Sequence, residues 1–191
     1  MGGSPKKFVL ASLIEHESCI SLTHSKCWDP ASRLKTPREE GAGLFQITRA
    51  YRPDGSIRFD ALEELRSKYP KYLYELNWLN IYSRADLQIR AGILKSKDNY
   101  LQFVKYSANT DEALAFADAA YNGGITGVNN ERRACYISKG CDASKWFGHV
   151  EKYCLKSKVA LYGNRSACDI NRHHVEDVLH IRANKYAPFF K

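Results

Sequence analysis

At 191 residues, with 44% hydrophobic and 26% charged residues, the chain is long enough to bury a sizeable core and has an ordinary globular composition. No apolar run approaches the roughly 18–20 residues a bilayer span requires, so stable membrane insertion is not expected. The net charge of +8 points to a polyanionic partner, but Lys and Arg are scattered and form no zinc-finger or RNA-binding signature, which argues against nucleic acid.

Residues 1–4, Met1, Gly2, Gly3 and Ser4, read as a cloning remnant on a shortened natural chain. From residue 5 to 191 there is no Pro/Gly/Ser linker, low-complexity tract or fixed-period repeat, so a single domain is expected. A first helix is predicted over 5–20, opened by Pro5. Asp29 before Pro30 and Thr36 before Pro37 argue against helix over 28–40. Asp60 opens the next helix with Glu63 as its capping-box partner, and that helix should stop or kink before Pro70. Leu87, Ala91, Leu94, Leu101 and Val104 recur at near-helical spacing over 84–106 and predict a buried central helix, against which Gly92 counts slightly. The alanine-rich stretch 111–121 is a further helix ended by Gly123 and Gly124, and 172–181 a last one. Alternating strand patterns are scarce, so the fold class is mainly α.

Cys19, Cys27, Cys135, Cys141, Cys154 and Cys168 form an even set, for which fifteen pairings exist. Cys135 and Cys141 bracket a polar loop suited to a local bridge. Reduced thiols and bridges both stand as readings, and folding outside the cytoplasm favours bridges. No CxxC pair is present, and zinc of the common spacing is not expected.

On a wheel at about 100° per residue, Leu10, Leu13, Ile14 and Glu17 share one face of the first helix, with Glu15 opposite. Glu17 is therefore the acid that packing would carry inward. Desolvation raises a carboxyl pKa, and a carboxyl that keeps its proton near neutral pH can protonate a leaving oxygen, as a glycosidase acid must. The alternative is an exposed or salt-bridged Glu17 at the end of the stripe. Two further segments bear on the choice. The run Gly41, Ala42, Gly43, Leu44, Phe45, Gln46, Ile47 pairs small residues, which admit close backbone approach, with an amide; read blandly, it is a tight turn. Ala120, Tyr121, Asn122, Gly123, Gly124 places a phenol and an amide at a helix end; read blandly, it is a C-cap.

In this order the three segments resemble the soluble lytic transglycosylases and goose-type lysozymes. Glu17 and Ser18 match the family's Glu-Ser, Gly41 to Ile47 its Gly-x-Gly-Leu-(Met/Phe)-Gln-Ile, and Ala120 to Gly124 its Ala-Tyr-Asn-x-Gly. Phe45 stands where Met is common. The resemblance covers roughly residues 8–124, and the cysteine-rich remainder looks like the variable ends of bacteriophage endolysins. It implies a lysozyme-like domain that cleaves the β-1,4 bond between N-acetylmuramic acid and N-acetylglucosamine in peptidoglycan glycan strands. The enzyme would be a monomer acting at the bacterial wall, in periplasm or outside the cell, without cofactor or metal. Glu17 would be the catalytic acid, and Ser18, Gln46, Tyr121 and Asn122 would position substrate. With a single acid, a lytic transglycosylase forming a 1,6-anhydro product is expected. Glu39 and Glu40 are candidates for the second carboxylate that hydrolysis would need.

Two rivals are weighed beside it. Cys27 before Trp28, with His149 and Asn164, is similar to the set of a papain-like cysteine peptidase, although the residues that usually precede that cysteine are missing. A non-catalytic wall-binding module would suit the charge but needs no buried acid. His173, Glu176, Asp177 and His180 could share a helix face, in a spacing that matches no familiar metal site, and a solvated face is expected there.

Overall fold

The computed structural model describes residues 7–19 and 23–190; residues 1–4, and the expected ends of the first helix at Pro5 and Ile20, lie outside them. The chain divides into two compact units, residues 10–95 and residues 1–9 with 96–191. Both boundaries fall within helices, so no linker composition marks them in the sequence.

Helix α1 spans Lys7–Ser18. Ser12, Leu13, Ile14 and Glu15 are all buried in succession, which corrects the wheel: Glu15 is 4% exposed, whereas Glu17 is only half-buried. A helix covered on more than one side has no single solvent face, and apolar periodicity alone cannot reveal that. Past the helix end, a Cys19–Cys27 disulfide ties α1 to the turns that follow.

An antiparallel sheet comes next, in the order β1 (Arg33–Lys35), β2 (Glu39–Ala42), β3 (Ile47–Tyr51), β4 (Ile57–Asp60). The Thr36 hydroxyl shapes the first turn by accepting from the amides of Arg38 at 3.2 Å and Glu39 at 3.1 Å. Asp54 does the same for the last turn, accepting the Ser56 amide at 2.9 Å. Asp60 caps α2 (Ala61–Lys68) by accepting the Glu63 amide at 3.0 Å. Glu63 turns its carboxylate to Arg66 at 2.8 Å. Pro70 starts a separate short helix α3 (Pro70–Leu73), the break expected there.

Helix α4 spans Ala85–Phe103 and crosses the boundary between units after Lys95. Leu87 and Ala91 are buried as the stripe predicts, but Leu101 is 52% exposed, so the stripe does not continue to the helix end. Gly92 has a packing reason: a Cβ there would stand 2.5 Å from the ring of the buried Phe45. Like Phe45, the side chains of Ile47, Leu62, Leu73, Leu76 and Ile81 are fully buried within the same unit.

The second unit is built on α5 (Thr110–Gly123), α6 (Ile125–Tyr136) and α7 (Ala167–Glu176). A two-stranded ribbon of β5 (Ala160–Tyr162) and β6 (Arg165–Ser166) leads into α7, which Ser166 and Asp169 open as a reciprocal capping box. A wider π turn, Asp177–Arg182, continues α7 into α8 (Ala183–Tyr186). Phe103, Phe116, Val128, Trp146, Val150 and Val175 form the core, with the Trp146 ring edge-on to Phe116 at 5.6 Å. Disulfides join Cys135 to Cys141, the local bridge anticipated, and Cys154 to Cys168.

The protein is thus mainly helical with small antiparallel sheets. Among the described residues no helix is long and apolar enough to cross a membrane. The three disulfides fit an oxidising environment.

Candidate active site

Glu17 and Ser18 occupy the last turn of α1. Ser18 is buried; its hydroxyl donates to the Ile14 carbonyl at 2.7 Å and accepts the Trp28 amide at 3.3 Å. Ser18 therefore pins the segment after α1 to the helix end. Trp28 is held in left-handed backbone, φ 59, and is 40% exposed. Half-buried Lys95, on α4, feels the negative charges of Glu17 and Glu64; its ammonium is nonetheless pushed down, because burial outweighs both.

The glycine segment is clamped from beneath. The fully buried Gln88 of α4 accepts the Leu44 amide at 2.9 Å and donates to the carbonyls of Pro30, at 2.8 Å, and Ile81. Gly43 is required twice, by φ 70 and because a Cβ would overlap the Gln88 carboxamide at 2.1 Å. Gln46 is left-handed, φ 42, and folds its side chain back over the segment, donating to the Gly43 carbonyl at 2.9 Å. A Cβ on Gly41 would meet the Gln46 Oε1 at 2.5 Å, so Gly41 makes room for that fold-back. Among the described residues, Trp28 and Gln46 are the non-glycine residues with positive φ.

Glu40 and Glu39 stand side by side on β2 in different surroundings. Glu40 is buried and takes up both its oxygens: Oε1 receives Arg33 at 2.6 Å and the Tyr82 hydroxyl at 2.8 Å. Its Oε2 receives Arg49 and the Tyr51 hydroxyl, each at 3.2 Å. Burial alone would raise this carboxyl, but those hydrogen bonds overcome it and hold the pKa at about 2. Arg49 is in turn placed by the Trp78 ring, 4.4 Å away, whose indole N–H is anchored on Asp60 at 2.9 Å. Glu39 is half-buried, and its backbone closes the preceding turn with Thr36.

Tyr121 and Asn122 lie in the second unit, at the end of α5. Tyr121 is mostly buried and stacks on His174 of α7, centroids 6.3 Å apart; His174 is itself paired with buried Asp118 at 2.7 Å. Asn122 is exposed, and its Oδ1 accepts from Asn171 Nδ2 at 3.0 Å. Gly123 admits this approach, since a Cβ there would stand 2.4 Å from the Lys156 stem and 2.9 Å from Asn171 Nδ2. Gly124, at φ 79, then turns the chain into α6.

The first unit thus carries Glu17, Ser18, Glu39, Glu40 and Gln46, and the second Tyr121 and Asn122. Sequence reasoning missed Gln88, the four donors around Glu40, and the supports that α7 gives to Tyr121 and Asn122. Each is a polar side chain that reaches a residue on another element, which no local pattern announces. Cys27 is bridged to Cys19, which removes the thiol a cysteine peptidase would need. His149 is occupied in accepting the Asp142 amide at 3.0 Å. Where α7 passes into the π turn, Glu176 pairs with His180 at 2.8 Å and Asp177 with Arg182; no metal-binding group of three acids, cysteines or histidines forms among the described residues. Comparison with protein-family models, curated proteins and solved structures finds no match.

Proposed function

We propose that the chain is a lysozyme-like lytic transglycosylase of peptidoglycan, of the kind found in bacteriophage endolysins, with Glu17 as its catalytic acid. The observation that carries this reading is the contrast among the candidate carboxylates. Glu40 is held by two guanidinium groups and two phenols with its pKa at about 2, which takes it out of proton transfer near neutral pH. Glu17 is half-buried in the last turn of α1. The left-handed Trp28 and Gln46 support the assignment, because backbone strain concentrates where function over-determines geometry.

In the proposed reaction the Glu17 carboxyl gives its proton to the glycosidic oxygen as the C1–O bond breaks. The resulting carboxylate then takes the proton of the muramyl 6-hydroxyl while O6 bonds to C1. Donor and acceptor are the same residue, and the nucleophile is held by the substrate, so intramolecular attack outcompetes water. Ser18 and Gln46, in the same unit as Glu17, serve substrate placement. A hydrolytic enzyme would instead need Glu39 to activate water on the far face of the sugar.

Turbidity of purified peptidoglycan tests the reading. The protein should clear it and Glu17→Gln should not. A protein that sediments with the walls without clearing them would be a binding module.

A further inference from the structure

The side chain of Asn122 can face outward in either of two ways, with its carbonyl as an acceptor or its NH2 as a donor. The structure decides between them through a chain of groups whose polarity leaves no choice. Glu131 is fully buried and accepts Arg172 Nη2 at 2.8 Å on Oε2. Arg172, further fixed by donating to the Glu151 carbonyl at 2.8 Å, presents only donors, so the Asn171 atom it meets at 2.7 Å must be the carbonyl Oδ1. From the other side, the Ala119 backbone carbonyl can only accept, so the Asn171 atom at 2.9 Å from it must be Nδ2. Two independent constraints thus set the fully buried Asn171 the same way round. Its Nδ2 also meets Asn122 at 3.0 Å, and the Asn122 atom there must be the acceptor Oδ1. Among the described residues nothing accepts from the Nδ2 of exposed Asn122.

We infer that Asn171, held by Arg172 and Glu131, is a positioning residue that turns the NH2 of Asn122 outward as a donor, so that this end of α5 favours an acceptor oxygen on its ligand. Resting on the proposed function, that ligand is an N-acetylated glycan, whose acetamido carbonyls and hydroxyl lone pairs supply such oxygens. A purely structural Asn171 would lower stability without altering the polarity that Asn122 shows to ligand.

Side-chain amide exchange in 15N-labelled protein, with and without tri-N-acetylchitotriose, tests the inference. The Asn171 NH2 should be protected and the Asn122 NH2 should exchange freely and shift on adding the saccharide. Asn171→Asp should reverse Asn122, protecting its NH2, and weaken saccharide binding about tenfold, the scale of one hydrogen bond. If that variant does not fold, exposed Asn122→Asp still accepts from Asn171 and should show the same tenfold loss. Protected Asn122 NH2 in the wild type, or undiminished binding by Asn122→Asp, would overturn the inference while leaving wall clearing by the wild type intact. Failure of the wild type both to bind saccharide and to clear walls would overturn the proposed function and the ligand with it, and the exchange pattern alone would then decide the polarity.

Discussion

The ring of Phe45 occupies the space where a side chain on Gly92 would begin, three of its carbons lying 2.5 Å from that position. The glycine segment and α4 are thereby locked face to face, with Gln88 joining the two one helical turn earlier at Leu44. Alanine in place of Gly92 would improve helix propensity by about 1 kcal/mol, yet must displace a fully buried ring in a packed core. Overpacking outweighs propensity here, and Gly92→Ala should lower stability by about 1–2 kcal/mol in urea unfolding. An unchanged or raised midpoint would mean that Phe45 does not press on α4.

Glu40 makes stability depend on acid. Its folded pKa of about 2 lies below the ordinary 4.5, so its contribution is fully present above about pH 4.5 and is lost as pH falls through 2. A shift of that size corresponds to at most about 3 kcal/mol. Unfolding free energies measured from pH 6 to pH 2 should fall more steeply for the wild type than for Glu40→Gln. Parallel curves would show that the four donors do not hold a charge there.

The disulfides pair neighbours along the chain, and peptide mapping without reduction should recover Cys19–Cys27, Cys135–Cys141 and Cys154–Cys168. Replacing Cys154 and Cys168 together, 14 residues apart, should cost about 3 kcal/mol, and the 6-residue separation of Cys135 and Cys141 somewhat less. Crossed peptides between these pairs would contradict the fold of the second unit.

Local signals were legible in the sequence. Asp60 and Pro70 marked a helix start and a break, Gly123 and Gly124 a helix end, and Cys135 with Cys141 a bridge. The four-stranded sheet was not legible. Arg33–Lys35 and Glu39–Ala42 are too short to show alternation, and the charges on β2 disguise a strand whose Glu40 is buried by partners supplied from β1, β3 and the Tyr82 turn. Burial on α1 and α4 was misjudged at Glu15 and Leu101 because a wheel records periodicity and not how many sides are covered. Of the candidate site, the motif residues could be named in advance, but Gln88 and Asn171, which hold them, act over 44 and 49 residues of sequence.

Glu15 and Glu17 should separate stability from chemistry. Glu17→Gln should lower activity roughly 10²–10⁴-fold, the scale of general acid–base catalysis, with little change in unfolding. Glu15 is the more deeply buried, and Glu15→Gln should cost stability while leaving activity per folded molecule near the wild-type value. Equal activity losses at both positions, after correction for folded fraction, would remove Glu17 from its proposed role.

In the proposed reaction one carboxyl group, Glu17, both gives and takes the proton, so that the muramyl 6-hydroxyl closes the ring without water. Mass spectrometry of muropeptides released from purified peptidoglycan reads this directly, because an anhydro product is lighter than its hydrolysed counterpart by one water molecule. 1,6-Anhydromuramyl ends are expected, still formed by Glu39→Gln and absent with Glu17→Gln. Reducing ends alone, with activity lost in Glu39→Gln, would contradict the proposed reaction and make the enzyme a hydrolase.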